Sequence, residues 1–84
     1  MPEVGAEFDF IVLVLKTLER EGPLNQTRLA EFTGSNKNKI GRYVDALARR
    51  GLIEKKPDPG PPRQTLISLT PKGACILRCL EERV

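Results

Sequence analysis

Apolar side chains recur at helical spacing in two long stretches of the chain. The first predicts a helix over residues 7–21, ended by Gly22-Pro23, whose buried stripe consists of Phe8, Ile11, Val12, Leu15 and Leu18. The second predicts a helix over residues 36–50, ended by Gly51, whose core face consists of Ile40, Val44 and Leu47. Polar and cationic residues occupy the opposite face of this second helix, so we expect it to be packed on one side only.

Shorter patterns complete the set of predicted elements. Asn25 caps a helix over residues 26–32, and Gly34 allows a tight turn before the next helix, which Ser35 or Asn36 caps. Residues 52–56 and 64–69 are predicted as two strands, and the proline-rich loop between them, at about 57–63, is not expected to pair. Thr70-Pro71 begins a last helix over residues 71–83.

These elements follow the order helix-helix-helix-strand-strand-helix. The predicted fold class is therefore mainly α with a small β-hairpin (α+β), arranged as a winged helix-turn-helix in which the hairpin is the wing. With 84 residues in total, we expect residues 1–84 to form a single domain.

Positive charge is concentrated on the third helix and the hairpin. Residues 1–35 carry three bases and six acids, whereas residues 36–64 carry eight bases and three acids. A phosphate-binding surface requires such a cluster, and an ordinary solvated face is the other interpretation. No apolar run is long enough to span a bilayer and no signal-peptide pattern is present, so we expect a soluble, cytoplasmic protein.

The hairpin and the residues after it carry a resemblance to a known family. The stretch PDPGPPRQTLISLTPKG, residues 57–73, is similar to the wing of MarR-type transcription regulators, whose second wing strand ends in Leu-Thr-x-x-Gly. The resemblance covers roughly residues 24–75 and extends to small archaeal or viral winged-helix regulators. The MarR wing usually carries Asp-x-Arg; Arg63 matches the arginine, but Pro61 stands at the aspartate position, so we expect prolines to hold this wing. We also expect the long extra helices of MarR proteins to be absent.

DNA binding by this fold places the second helix of the motif in the major groove, with its N-terminal end leading. Asparagine and arginine pair with base edges, so Asn38 and Arg42, together with Lys37, are the candidates for reading bases. The basic residues of the second helix and the wing would mostly hold the DNA backbone. The full predicted DNA-binding set is Arg28, Asn36, Lys37, Asn38, Lys39, Gly41, Arg42, Tyr43, Lys55, Lys56, Arg63 and Gln64.

Two residues of this set have a second interpretation. Gly41 either lets the helix approach the bases closely or is a poor helix former that the helix tolerates. Tyr43 either bonds a phosphate through its hydroxyl or packs its ring against the wing.

The first helix is apolar nearly all round, which predicts a second buried face. That face lies either under the last helix of the same chain or in a homodimer interface, and small domains often use oligomerisation to bury apolar surface. We favour a homodimer through helices 1 and 4, with an interface formed by Phe10, Val14, Ile76 and Leu80.

The remaining residues predict neither catalysis nor a cofactor. The sequence has no histidine, no phosphate-cradling glycine loop and no nucleophile beside a base, so an enzyme is not expected. Cys75 and Cys79 lie four residues apart. Redox sensing or metal binding by these thiols is one interpretation, and packing as small apolar residues is the favoured one. No convergent polar residues mark a site for a small-molecule effector.

The sequence therefore predicts a sequence-specific, double-stranded DNA-binding transcription regulator. Helix 36–50 would enter the major groove, and the wing would lie on the adjacent backbone or in the minor groove. Because fold does not fix function, two alternatives stand beside it. One is a winged-helix protein-interaction module of a transcription or replication assembly, and the other is an architectural protein that binds DNA without sequence preference.

Overall fold

The computed structural model of the chain describes residues 2–58 and 64–82, with side chains described from residue 8 onward. Its elements in chain order are α1 (Pro2–Glu21), β1 (Leu24–Asn25), α2 (Gln26–Thr33), α3 (Lys37–Arg49), β2 (Ile53–Pro57), β3 (Thr65–Leu69) and α4 (Pro71–Glu82). The predicted fold class, a mainly helical winged helix-turn-helix, is confirmed. Arg63 and most of the predicted wing loop lie outside the described residues, as does the predicted end of the last helix at residue 83.

The strands form one antiparallel sheet in the order β1-β3-β2. Strand β1 was not predicted, because two residues after a proline carry no alternating pattern; it pairs Leu24 with Ile67 of β3. Pro57 was predicted to lie in the unpaired loop, and this is wrong, because it is the last residue of β2 and stands opposite Thr65. A proline is tolerated there because β2 is an edge strand.

The core lies where the helices cover one face of this small sheet. Its fully buried apolar side chains come from all four helices and from the sheet, and include Val14, Leu15, Leu18, Leu29, Ile40, Val44, Leu47, Ile53, Ile67 and Leu77. The predicted core face of α3 is confirmed, since its three buried residues are the three that the sequence pattern selected. Within the described residues, no helix has the length and apolar character needed to cross a membrane.

Helix α1 buries most of the stripe that its sequence pattern suggested, since Leu15 and Leu18 are buried and Ile11 and Val12 are partly buried against the core. Phe8 was predicted to lie in the buried stripe, yet its side chain is 45% exposed. Val14 was predicted to face a partner chain, yet it is fully buried inside this one. The reason is that α1 contacts α2, β3 and α4 together, so the arc around Val14 and Leu18 is the one that points inward.

The start of α4 is fixed to the end of α3 by a short network. Thr70 Oγ1 donates to the Gly51 carbonyl at 2.6 Å and accepts from the Gly73 amide at 3.0 Å, while the Thr70 amide donates to the Leu52 carbonyl at 3.1 Å. Gly73 is buried, and a Cβ at that position would overlap the Leu52 carbonyl oxygen. The residues of the Leu-Thr-x-x-Gly sequence therefore hold the start of α4 against the end of α3.

Candidate nucleic-acid interface

Two asparagine caps and one glycine turn define the helix-turn-helix. Asn25 Oδ1 accepts from the Arg28 amide at 2.7 Å, which confirms the predicted cap of α2. Gly34 has a φ of 68°, a left-handed conformation, and its amide and that of Ser35 donate to the last carbonyls of α2. Of the two caps predicted for α3, Asn36 is the one used, because its Oδ1 accepts from the Lys39 amide at 2.8 Å.

The outward face of α3 exposes the residues that were predicted to read bases. Lys37, Asn38 and Arg42 are all exposed, while the opposite face of the helix is buried in the core. The first turn of α3 contains no acidic residue, and a helix N-terminus carries a partial positive charge. This face therefore combines cationic and amide side chains with a positive helix end.

Two of the predicted DNA-binding residues on the flank of α3, Lys39 and Tyr43, contact Phe10 of α1. The rings of Tyr43 and Phe10 meet edge to face, with centroids 4.7 Å apart and planes at 63°. Lys39 Nζ lies 4.4 Å from the centroid of the Phe10 ring, which is a cation–π contact. The Tyr43 ring thus packs on α1, and Phe10 is half-buried within the chain.

The Gln26 side chain of α2 lies beside Gly41 of α3. Gln26 Nε2 donates to the Lys37 carbonyl at 2.8 Å. A Cβ added at Gly41 would lie 3.0 Å from Gln26 Nε2, and the three nearest atoms to it all belong to Gln26. The space beside Gly41 is therefore filled by the Gln26 side chain of α2.

Hydrogen bonds and an ion pair connect the two sides of the wing, β2 and the residue before β3, to the helix-turn-helix. Lys55 Nζ lies 2.5 Å from Asp45 Oδ1, which joins β2 to α3. The hydrogen bond from Lys55 lowers the pKa of Asp45 below its ordinary value of 3.8, and the positive charge of Lys55 is the second cause of this shift. Gln64 accepts from Asn25 Nδ2 at 2.8 Å and donates to Asp58 Oδ2 at 3.2 Å, so it joins the wing base to α2.

The other predicted contacts are open to solvent or outside the described residues. The Arg28 side chain is exposed at the start of α2. Lys56 is exposed on β2, with its Nζ 3.7 Å from Glu54 Oε2. Arg63 lies outside the described residues. Of the predicted dimer residues on α4, Ile76 is 36% exposed and Leu80 is half-buried.

The sequence did not reveal that three side chains connect these elements. They are Gln26, Asp45 and Asn25, the last through its amide nitrogen. One signal was available for the first, because a glycine inside a helix marks a position where another group approaches closely. No sequence pattern gives the partner of such a side chain. Cys75 and Cys79 are both exposed on α4. Among the described residues, no group of three or more potential ligands is arranged to hold a metal ion.

The packed sheet, the helix-turn-helix and the exposed face of α3 define the class of winged helix-turn-helix proteins. Within this class the chain belongs to the MarR family, whose model matches residues 12–65.

Known proteins similar to this chain include two repressors, one of them of known structure, and a further regulator of known structure. The HTH-type transcriptional repressor NicR of Pseudomonas putida is 34% identical over 65 residues, which are 77% of this chain and 41% of NicR. The PcaV transcriptional regulator of Streptomyces coelicolor is 35% identical with a TM-score of 0.83, covering 88% of this chain and 54% of PcaV.

The transcriptional repressor CouR, solved bound to a 23-mer DNA duplex, is 30% identical with a TM-score of 0.79. The match covers 84% of this chain and 50% of CouR. The chain thus spans about half the length of these relatives, or somewhat less.

Proposed function

We propose that this chain binds double-stranded DNA and acts as a sequence-specific transcription regulator, with α3 as the recognition helix in the major groove. The observation that carries the proposal is the exposed face of α3, where Lys37, Asn38 and Arg42 stand opposite a fully buried stripe. The names of NicR and CouR support it, since both are called transcriptional repressors and CouR was solved on a DNA duplex. Membership of a family of regulators also supports the expectation of a protein without enzymatic activity.

In this proposal the bases are read by exposed side chains of α3 that make no hydrogen bond or ion pair with another side chain among the described residues. Arg42 is suited to a guanine edge and Asn38 to an adenine edge, because each side chain offers a bidentate hydrogen-bonding pattern. Lys37 adds charge at the leading end of the helix. Asn36 acts first as a helix cap, since its Oδ1 is used by the Lys39 amide.

Backbone binding falls to exposed cations on the flanking elements. Arg28 at the start of α2 and Lys56 on β2 are exposed, and Arg63 of the wing is proposed from the sequence alone. Lys55 is bound to Asp45, and Gln64 is bound to Asn25 and Asp58. We therefore expect five of the predicted DNA-binding residues to hold the DNA-binding elements in place more than to contact DNA themselves. They are Lys39, Gly41, Tyr43, Lys55 and Gln64.

Two copies of the chain associate through α1 and α4 in this proposal. Phe8 and Ile76 are exposed large apolar residues on these helices, and Leu80 is half-buried. Phe10 and Val14 contribute to the inner packing of α1 and are withdrawn from the interface. A two-fold dimer would bring two recognition helices into successive major grooves, about 34–36 Å apart.

The test is selection of bound sequences from a random duplex pool, followed by fluorescence anisotropy at two salt concentrations. We expect a palindromic consensus and an affinity that falls as salt rises. Salt-sensitive binding without a consensus would favour an architectural protein. No binding at moderate salt would favour a protein-interaction module, and either result would overturn the proposal.

Two variants separate base reading from backbone binding. Arg42→Ala should lower discrimination between the selected duplex and a random one by about 1–3 kcal/mol, since one bidentate base contact is lost. Lys56→Ala should weaken binding to both duplexes alike and reduce the salt slope by about 1. Arg78→Ala is the matched control, because Arg78 is an exposed arginine on α4 that is not among the proposed DNA-binding residues. This variant should bind DNA as the parent does. If Arg42→Ala keeps full discrimination, the assignment of α3 is wrong.

A further inference from the structure

Gln26 reaches from the first turn of α2 to the first turn of α3. Its Nε2 donates to the Lys37 carbonyl at 2.8 Å, across 11 residues of sequence. In a regular α-helix that carbonyl also accepts from the amide four residues later, which belongs to Gly41. The Gln26 amide group therefore lies directly over the backbone of the leading turn of the recognition helix.

Gly41 provides the space for this contact. An added Cβ would lie 3.0 Å from Gln26 Nε2 and 3.7 Å from Gln26 Cδ. A side chain at this position would compete with the glutamine for the same volume. Gln26 and Gly41 thus form a single contact between the two helices of the motif.

The adjacent residue makes a parallel connection to the wing. Asn25 Oδ1 caps α2, while its Nδ2 donates to Gln64 Oε1 at 2.8 Å. Gln64 in turn donates to Asp58 on the other side of the hairpin. Two successive residues at the start of α2 therefore hold the two elements that would meet DNA, one of them α3 and the other the wing.

We propose that Gln26 is a positioning residue that fixes the leading turn of the recognition helix against α2, and that Gly41 is the receptor for its side chain. The proposal rests on the proposed function, because positioning matters only if α3 reads DNA. It assigns the glycine to contact with Gln26 and not to close approach of the helix to the bases. Gln26 acts through the backbone of α3, so its loss should affect selectivity more than general affinity for DNA.

The contact is tested first without DNA, by thermal unfolding of four proteins: the parent, Gln26→Ala, Gly41→Ala and the double variant. In the Gln26→Ala background the space is empty, so Gly41→Ala should raise Tm by about 4–8 °C through its higher helix propensity. In the parent background the same substitution displaces the glutamine, so the rise should be smaller or reversed. Equal shifts in the two backgrounds would overturn the proposal.

Binding to the selected duplex and to a random duplex is then measured on the same four proteins. Gln26→Ala should weaken binding to the selected duplex by about two- to tenfold, which matches one lost hydrogen bond, and leave the random duplex and the salt slope unchanged. Gly41→Ala should cause the same loss in the parent background and no further loss in the Gln26→Ala background. Glu31→Ala, on the exposed side of α2, is the control and should change neither affinity.

Other outcomes identify what is wrong. An equal loss on both duplexes would mean that Gln26 contacts a phosphate directly, which contradicts a positioning role. A loss from Gly41→Ala in both backgrounds would mean that the glycine itself meets DNA. If the parent binds no duplex, the proposed function fails and the positioning role fails with it, and the unfolding measurements still report whether Gln26 and Gly41 are coupled.

Discussion

Gly73 stands at the most restricted position among the described glycines. A Cβ there would overlap the Leu52 carbonyl oxygen and lie 2.8 Å from Leu69 Cδ1. In an ordinary helix, alanine is favoured over glycine by about 1 kcal/mol. At Gly73 the close backbone contact should reverse that preference.

We therefore expect Gly73→Ala to destabilise the protein by about 1–3 kcal/mol, because α4 must move away from the end of α3. Thermal unfolding should show this as a Tm lower by about 4–8 °C for each kcal/mol. Cys75→Ala changes an exposed position of the same helix and should leave Tm nearly unchanged. A Gly73→Ala protein as stable as the parent would show that α4 is not held by this contact.

Asp45 and Lys55 connect α3 to β2 by an exposed ion pair. Because the Lys55 hydrogen bond lowers the pKa of Asp45 in the folded protein, the pair contributes stability above the unfolded pKa, near 3.8. That contribution is lost as pH falls through the lower folded value. Both side chains are exposed, so the effect should be small.

The corresponding measurement compares Tm for the parent and Asp45→Asn at about pH 7 and about pH 3. At the higher pH the parent should have a slightly higher Tm than Asp45→Asn. This difference between the two proteins should be smaller at the lower pH and in high salt. Glu54→Gln is the matched control, because Glu54 Oε2 is 3.7 Å from its lysine and should contribute less. A difference that grows on acidification would contradict the pairing.

At the scale of the elements, local chemistry predicted the ends of α1, α2 and α3, but the start of α1 was missed, because the helix begins at Pro2 and not at residue 7. The Asn25 cap, the Gly34 turn and the core face of α3 follow from single residues and helical spacing, and all three were predicted. Strand β1 was missed because only its partner β3 makes it a strand. The buried arc of α1 was predicted in part: Leu15 and Leu18 are buried, but Val14 is buried as well and Phe8 is not, because the three elements packed against an apolar helix decide which of its faces is covered.

The candidate site was predictable by residue type but not by contact. Exposed cations and amides on α3 were identified from the sequence pattern. The sequence did not reveal that Lys39 and Tyr43 turn towards Phe10, or that Lys55 is bound to Asp45. Such contacts depend on distances between elements far apart in sequence, which periodicity does not contain.

At the scale of the whole molecule, the proposed dimer would cover exposed apolar residues of α1 and α4. Phe8 and Val12 of α1 and Leu80 of α4 line one shallow cleft, and Lys16 Nζ and Glu81 Oε2 at its edge are 3.9 Å apart. Ile76 adds a further apolar side chain on α4, 36% exposed. Burying this surface between two chains would favour the dimer, by roughly 25 cal/mol for every Å² removed from water before the entropic cost of association is subtracted.

The double variant Phe8→Glu with Ile76→Glu should therefore shift the molecular mass from dimer to monomer, because four charges would enter an apolar contact. Light scattering after size exclusion measures the mass, and anisotropy should show weaker binding to a palindromic duplex, since each monomer reaches only one half-site. Phe32→Glu on α2 replaces an apolar side chain of similar exposure, 42%, and should remain dimeric. If the parent is a monomer at every concentration, or if Phe32→Glu dissociates it equally, α1 and α4 do not form the interface. The two recognition helices would then need another arrangement to read a palindrome.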